Sequence, residues 1–238
     1  MSLASWLKQE PFTLTMSSGF FGFYVHAGML AALLEQGLVP AKITGSSAGA
    51  LVGACWASGL EMPAIKTALF SLQRDDFWDP ALGLGLLKGV RFRAKLADFL
   101  VADQFEDCRV PLALSAFDLR ARQTVVLCKG DLVSAVYASC AFPFLFQPYR
   151  INDSHCMDGG IQDRPGLAGV LPGERVLYHH ISSKSPWRSK ASKALQIPYR
   201  ENLRAVALAD MPRVGPNKLE MGPIAFDAAY HNMREILS

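Results

Sequence analysis

The pentapeptide Gly-Ser-Ser-Ala-Gly at residues 45–49 constrains the fold of this chain more than any other feature of its sequence. A short apolar run precedes it and a run of helix formers follows it, so the pattern predicts a strand, a sharp turn and a helix in direct succession. Gly45 and Gly49 flank Ser47 at the spacing of a nucleophile elbow, a turn so tight that only small neighbours fit. Ser47 is therefore a candidate nucleophile at a helix N-terminus, although a small-residue turn without chemistry explains the pentapeptide equally well.

The triplet Asp158, Gly159 and Gly160 is the second candidate element. It follows two short strand-like segments, residues 149–151 and 155–157, which a turn joins. An aspartate at a strand end, followed by glycines, has a carboxylate that is free to accept a proton from a serine hydroxyl or to hold a base in place. An ordinary Asp-Gly turn is the commoner explanation of this triplet taken alone.

The third element is the segment Ser-Ser-Gly-Phe-Phe-Gly at residues 17–22, hereafter the 17–22 loop. It follows a strand-like run at residues 12–16 and precedes a helix-like run at residues 27–36, which Gly37 closes. A loop of small residues that opens a helix exposes backbone N–H groups, and such groups can form an oxyanion hole. A simple turn between a strand and a helix is the alternative explanation.

In this order the three segments resemble the patatin-like phospholipase family. That family has a glycine-rich oxyanion loop after its first strand, then Gly-x-Ser-x-Gly, then Asp-Gly-Gly or Asp-Gly-Ala far downstream. Residues 138–148 resemble the Ala-Ser-x-Ala-x-Pro block that precedes the family's aspartate. Residues 158–165 resemble the block that follows it, with Asp-Arg-Pro at 163–165 where the family has Asn-x-Pro. The resemblance covers roughly residues 10–170, and three motifs in a fixed order are far more specific than one.

The resemblance implies a lipid acyl hydrolase in which Ser47 and Asp158 form a catalytic dyad, without a histidine, a metal or a cofactor. Asp158 would act as the base for Ser47, which attacks an ester carbonyl and forms an acyl-enzyme that water hydrolyses. The lipid or ester substrate is thus the expected partner. The backbone N–H groups expected to stabilise the oxyanion belong to Ser18, Gly19, Phe20 and Gly22.

The 17–22 loop departs from the family pattern in two ways. Ser17 and Ser18 stand where the family has glycines. The usual basic residue of this loop is absent, and Phe20 and Phe21 occupy its region. A backbone N–H survives a change from glycine to serine, so an oxyanion hole is still expected, with a more apolar entrance.

Two other functions remain open from the sequence. His179 and His180 follow Asp158 in the chain, the order of a Ser–His–Asp esterase, although structural roles are expected for both. Of two adjacent strand residues, one is expected to face the core and the other to face outward or the next layer. The second alternative is a lipid-binding scaffold of the same fold that has lost turnover. His26 lies near the 17–22 loop and is expected to help shape it.

Strand-like and helix-like segments alternate along the 238 residues. This order predicts a single domain over residues 1–238, built as a three-layer α/β/α sandwich with a mostly parallel central sheet. Residues 71–91 are rich in turn formers and predict either a loop or lid or an ordinary surface connection.

The composition of the chain bears on its expected location in the cell and on the ligands it is expected to bind. Hydrophobic residues make up 50% of the chain and charged residues only 19%, which is consistent with exposed apolar surface at a lipid site. No apolar run approaches the length of a membrane span and no secretory signal is visible, so a cytoplasmic protein is expected. The five cysteines show no metal-binding spacing, and no nucleic-acid motif is present.

Two segments predict peripheral association with a lipid surface. Residues 81–87 form a small apolar run that could insert, and residues 184–218 carry eight basic residues suited to anionic lipids. A simply solvated surface is the more ordinary explanation of the basic segment.

Overall fold

The computed structural model describes residues 1–182, 192 and 195–238. An eight-stranded mixed sheet forms its centre, and a separate pair of short strands lies apart from that sheet. The strands are β1 (Thr13–Met16), β2 (Lys42–Ser46), β3 (Gly85–Leu87), β4 (Leu112–Asp118), β5 (Gln123–Leu127), β6 (Phe144–Phe146), β7 (Tyr149–Ile151), β8 (Ser154–Asp158), β9 (Val176–His180) and β10 (Leu203–Ala207). The helices are α1 (Leu3–Gln9), α2 (Phe23–Glu35), α3 (Ala48–Ala57), α4 (Met62–Phe70), α5 (Val90–Phe99), α6 (Leu132–Cys140) and α7 (Gly222–Leu237).

The order of the main sheet is β10-β9-β1-β2-β4-β8-β7, and β5 pairs with β4 off this path. The five strands from β10 to β4 are parallel, whereas β8, β7 and β5 are antiparallel to their neighbours. Helices cover this sheet, which buries every residue of β1 and β9. The prediction of an α/β sandwich with a mostly parallel sheet is therefore confirmed.

The sheet brings the three motifs together. The strands β1 and β2 are parallel neighbours, so the 17–22 loop and Ser47 leave the sheet at the same edge. In β4, Ser115 lies opposite Ser46, and the next residue, Ala116, lies opposite Asp158. The antiparallel strand β8 therefore ends at Asp158, one register position away from Ser46, the residue before the elbow serine.

The helix α3, which begins at Ala48, is the most deeply buried helix. All ten of its residues are buried, because it packs on β2 and against α2 and α6. A helix that is apolar on every side is stable only inside the protein. Because α3 is held by its neighbours on all sides, the position of Ser47 at its N-terminus is fixed as well.

Three further sequence predictions can be compared with the structure. Residues 71–91 are not simply a loop, since β3 pairs with β6 there and the Asp79 carboxylate accepts backbone N–H groups at the start of α5. His179 and His180 are both buried because β9 is an internal strand, so of the two expected orientations of the second histidine the outward one does not occur. The prediction for the basic segment falls partly outside the described residues, which omit Lys184, Trp187, Arg188, Lys190 and Lys193.

No helix in the described part of the chain combines the length and the apolar character that crossing a membrane requires.

Candidate active site

Ser47 occupies the turn between β2 and α3 in a strained conformation. Its φ angle is +52°, a value that residues other than glycine rarely adopt. The flanking glycines are required by close packing: a Cβ on Gly45 would lie 2.8 Å from the Gly49 carbonyl carbon. A Cβ on Gly49 would lie 2.1 Å from the carbonyl oxygen of Met16. Glycine is therefore required at both positions, because the elbow packs closely against itself and against the end of β1.

The Ser47 hydroxyl donates a hydrogen bond to the Asp158 carboxylate, with 2.6 Å between Oγ and Oδ2. The other carboxylate oxygen, Oδ1, accepts the Gly160 N–H at 2.7 Å. A Cβ on Gly159 would lie 2.1 Å from the carbonyl oxygen of Ser115, and one on Gly160 would lie 2.9 Å from Asp158 Oδ1. Both glycines of the triplet thus allow Asp158 to approach Ser47.

Burial gives the Asp158 carboxylate the properties of a base. The residue is only 4% exposed, and desolvation raises the pKa of its carboxyl from the ordinary 3.8 to about 6. The hydrogen bonds from Ser47 and Gly160 lower the pKa and offset this effect only in part. The carboxylate is therefore ionised at neutral pH and binds a proton more tightly than an exposed aspartate does.

Two side chains of α6 position the elbow, and the sequence did not identify their role. The Ser47 N–H donates to Ser139 Oγ at 3.0 Å, and Ser139 Oγ donates to the Ser115 carbonyl at 2.7 Å. The Cys140 thiol donates to the Ser47 carbonyl oxygen at 3.2 Å. The available signal was the Ala-Ser-x-Ala-x-Pro block, which contains both residues.

The 17–22 loop is anchored by hydrogen bonds to two distant segments. The Ser18 N–H donates to the Arg164 carbonyl at 2.8 Å, and the Ile181 N–H donates to Ser17 Oγ at 2.9 Å. The Gly22 N–H donates to the Gly19 carbonyl at 2.8 Å. Ser18 and Gly22 therefore already use the N–H groups that the sequence offered as oxyanion donors.

The remaining predicted donors are the N–H groups of Gly19 and Phe20, which donate to no other residue among those described. Both residues line the same cavity as Ser47 and Asp158. Of the four N–H groups predicted as oxyanion donors, these two therefore remain as candidates.

An apolar cavity of about 540 Å³ opens at Ser47. Its walls come mainly from aromatic and aliphatic side chains of the 17–22 loop, of α5 and of the segment around β6, for example Phe21, Phe92 and Phe142. The ion pair between Lys95 and Asp76, 3.4 Å apart, is a polar element of the lining. The cavity is of the size and polarity that small-molecule and lipid sites have.

The structure does not bring either strand histidine to the dyad. His179 Nδ1 lies 2.8 Å from His26 Nδ1, and His180 Nδ1 lies 2.9 Å from the Tyr178 hydroxyl. Neither histidine makes a hydrogen bond to Ser47 or Asp158 among the described contacts. The geometry therefore favours the dyad over the Ser–His–Asp alternative.

Comparison with solved structures shows the same fold in two bacterial proteins. VipD from Legionella pneumophila superimposes with a TM-score of 0.59 and 14% identity, over 96% of this chain and 67% of that chain. ExoU in its complex with SpcU, from Pseudomonas aeruginosa, gives a TM-score of 0.51 and 17% identity, over 95% of this chain and 51% of that chain. At these identities the likeness concerns the fold alone.

Comparison of sequences gives relatives with higher identity. Uncharacterized NTE family proteins of Mycobacterium bovis and Mycobacterium tuberculosis are 31% identical over 160 residues, which is 66% of this chain and 44% of the relative. The chain thus spans less than half the length of these curated relatives. The family model described as patatin-like phospholipase matches residues 14–170, which contain the elbow, the 17–22 loop and the Asp-Gly-Gly triplet. The chain belongs to the patatin-like phospholipase family.

Proposed function

We propose that this protein is a lipid acyl hydrolase that uses Ser47 and Asp158 as a catalytic dyad. The observation that carries the proposal is the 2.6 Å hydrogen bond from the strained elbow serine to a buried carboxylate at an apolar cavity. Membership of the patatin-like phospholipase family supports ester hydrolysis as the reaction class.

In the first half of the reaction, Ser47 Oγ attacks the ester carbonyl carbon while Asp158 accepts the hydroxyl proton. The carbonyl oxygen becomes an oxyanion, to which the N–H groups of Gly19 and Phe20 donate. Loss of one such donor costs about 3–4 kcal/mol of transition-state stabilisation in a well-studied hydrolase. The alcohol leaves with the proton held by Asp158, and the acyl group remains on Ser47.

In the second half, Asp158 accepts a proton from water, which attacks the acyl carbonyl carbon. The bond from that carbon to Ser47 Oγ breaks, and the serine recovers the proton from Asp158. A carboxyl with a pKa near 6 can both take and return a proton at neutral pH, which suits this double role.

The cavity supports a long acyl chain as the group held next to Ser47. Its volume of about 540 Å³ equals that of roughly 18 groups the size of a water molecule, each occupying ~30 Å³. The aromatic walls would remove an acyl chain from water at a gain of about 0.8 kcal/mol for each buried methylene.

Peripheral association with a lipid surface is a further part of the proposal. Leu82, Leu84 and Leu86, here called the leucine face, are 102%, 77% and 50% exposed, in the bend at residues 82–84 and the strand β3 that follows it. Between them, Gly85 pairs with Phe144, an exposed residue that also lines the cavity. The leucine face is thus continuous with the cavity entrance, so a bilayer in contact with it would deliver an acyl chain without passage through water.

Two described cations of the basic segment have partners within the protein. Among its described residues, Arg200 donates to the Val170 and Leu171 carbonyls, and the Arg204 guanidinium lies 5.0 Å from the Trp6 ring. These two cations therefore have partners inside the protein, and the leucine face carries the proposal.

A fluorophosphonate probe with peptide mapping tests the proposed dyad. The probe should label Ser47, and Ser47→Ala should abolish both labelling and ester hydrolysis in a folded protein. Ser46→Ala is the matched control, because Ser46 is the adjacent buried serine and makes no side-chain hydrogen bond within the described chain. Turnover by folded Ser47→Ala protein would disprove the dyad, and a folded wild type without labelling or turnover would favour the scaffold alternative.

A further inference from the structure

A pair of fully buried histidines lies beneath the 17–22 loop. His26 Nε2 lies 2.8 Å from the Ser17 carbonyl oxygen, and His26 Nδ1 lies 2.8 Å from His179 Nδ1. His179 Nε2 is buried and has no hydrogen-bond partner in the described part of the chain. The proposed reaction uses neither histidine, so their arrangement calls for another explanation.

The contacts determine which nitrogens carry hydrogen. A carbonyl oxygen only accepts, so His26 Nε2 must be protonated and donate to Ser17. In a neutral His26 the Nδ1 atom is then bare, and it accepts the hydrogen bond from His179 Nδ1–H. The two histidines are therefore opposite tautomers. Burial keeps them neutral, since it lowers the pKa of His26 to about 4 and that of His179 well below its usual range.

The hydrogen bond from His26 fixes one side of the peptide unit that precedes the oxyanion donors. The Ser18 N–H on the other side of the same peptide donates to the Arg164 carbonyl. The Ser17 N–H donates to the His179 carbonyl at 3.1 Å, so His179 contacts the loop through its backbone, while its ring contacts His26. With this peptide held on both sides, only the two backbone dihedral angles of Ser18 separate it from the Gly19 N–H.

We propose that His26 and His179 are positioning residues that hold the Gly19 N–H in place for the oxyanion. They act through the Ser17–Ser18 peptide and do not contact substrate. This inference rests on the proposed function. It explains how the loop stays preorganised although Ser17 and Ser18 replace two glycines of the family pattern.

The tautomers can be measured directly in the wild-type protein. Two-bond ¹H–¹⁵N spectra of ¹⁵N-histidine-labelled protein at pH 7 should show His26 as the Nε2–H tautomer and His179 as the Nδ1–H tautomer. A His26 that is the Nδ1–H tautomer, or a charged His26, would overturn the inference whatever the enzyme's activity.

Substitution tests the effect on catalysis. His26→Leu removes the donor to Ser17 and should lower kcat about 100-fold, the usual effect of losing an oxyanion donor, while KM changes less than about threefold. His26→Gln places an N–H near the position of Nε2 and should restore kcat to within about tenfold of wild type. His179→Asn, which keeps a donor near the position of Nδ1, should likewise be milder than His179→Leu.

Thr15→Val is the control for a merely structural effect. Thr15 lies on β1 two residues before Ser17, and its buried hydroxyl is 2.7 Å from that of Thr44. The substitution removes a buried hydrogen bond without touching the loop, so kcat should stay within about threefold of wild type. Equal losses in His26→Gln, His26→Leu and Thr15→Val would overturn the positioning role. Persistent turnover in Ser47→Ala would instead disprove the proposed function, so the two failures are distinguishable.

Discussion

Replacing Asp158 by asparagine should abolish catalysis and also stabilise the fold at neutral pH. Burial raises the pKa of this carboxyl from 3.8 to about 6, so the folded protein binds the proton more tightly than the unfolded chain does. A pKa difference of about 2 corresponds to about 3 kcal/mol of unfolding free energy. The ionised Asp158 carboxylate therefore lowers the free energy of unfolding.

The pH range of this effect follows from the two pKa values. Below pH 3.8 the carboxyl is protonated in both states and costs no stability. Between pH 3.8 and about 6 the unfolded chain releases its proton first, so wild-type stability falls as the pH rises. Above pH 6 the full cost is present. Because asparagine does not titrate, the stability advantage of Asp158→Asn should grow by about 3 kcal/mol across this range.

Thermal unfolding of both proteins from pH 4 to pH 8 measures this advantage. For a chain of this length about 1 kcal/mol shifts Tm by roughly 2–4 °C, so the Tm advantage of Asp158→Asn should increase by roughly 6–12 °C as the carboxyl of the wild type ionises. Asp118→Asn is a control of opposite sign. The Asp118 carboxylate accepts from Ser154, Ala121 and Arg120, hydrogen bonds that lower its pKa. Its loss should therefore destabilise the protein at neutral pH.

Two results would refute this reasoning about Asp158. One is a stability difference between wild type and Asp158→Asn that stays constant from pH 4 to pH 8, which would mean that the carboxyl titrates normally. The other is a wild-type kcat/KM that does not rise as the pH increases through about 6, since the base must be ionised to accept the Ser47 proton.

Three further predictions concern the elbow and the lipid surface. Gly49→Ala should prevent stable folding or displace Ser47, because its Cβ would lie 2.1 Å from the Met16 carbonyl; normal stability and turnover would contradict this packing. Ser139→Ala leaves the Ser47 N–H without its acceptor and should cost about 1–3 kcal/mol in denaturant unfolding, together with a lower kcat. Changing the three leucines of the leucine face to serine should weaken binding to phosphatidylcholine vesicles and spare hydrolysis of a short nitrophenyl ester. Leu171→Ser is the matched exposed control, and altered self-association without a change in vesicle binding would indicate that a second copy covers the face.

The sequence predicted the parts of the fold that follow from local patterns. The elbow pentapeptide required a strand, a turn and a helix, and the structure has β2, Ser47 and α3 there. The elements α1 and β10 were missed, because each has only one fully buried residue and so shows no clear apolar pattern. The pairing of β3 with β6 was missed because it joins segments far apart in the chain.

The sequence by itself determined the chemistry that is available: a serine in an elbow, an aspartate before two glycines and a small-residue loop. Only the tertiary structure decided how these groups meet, because Ser47 and Asp158 are 111 residues apart and His26 and His179 are 153 apart. Burial raises the pKa of Asp158, and long-range hydrogen bonds occupy the Ser18 N–H and leave that of Gly19. Strand register and burial create both effects, and neither is a property of any local run of residues.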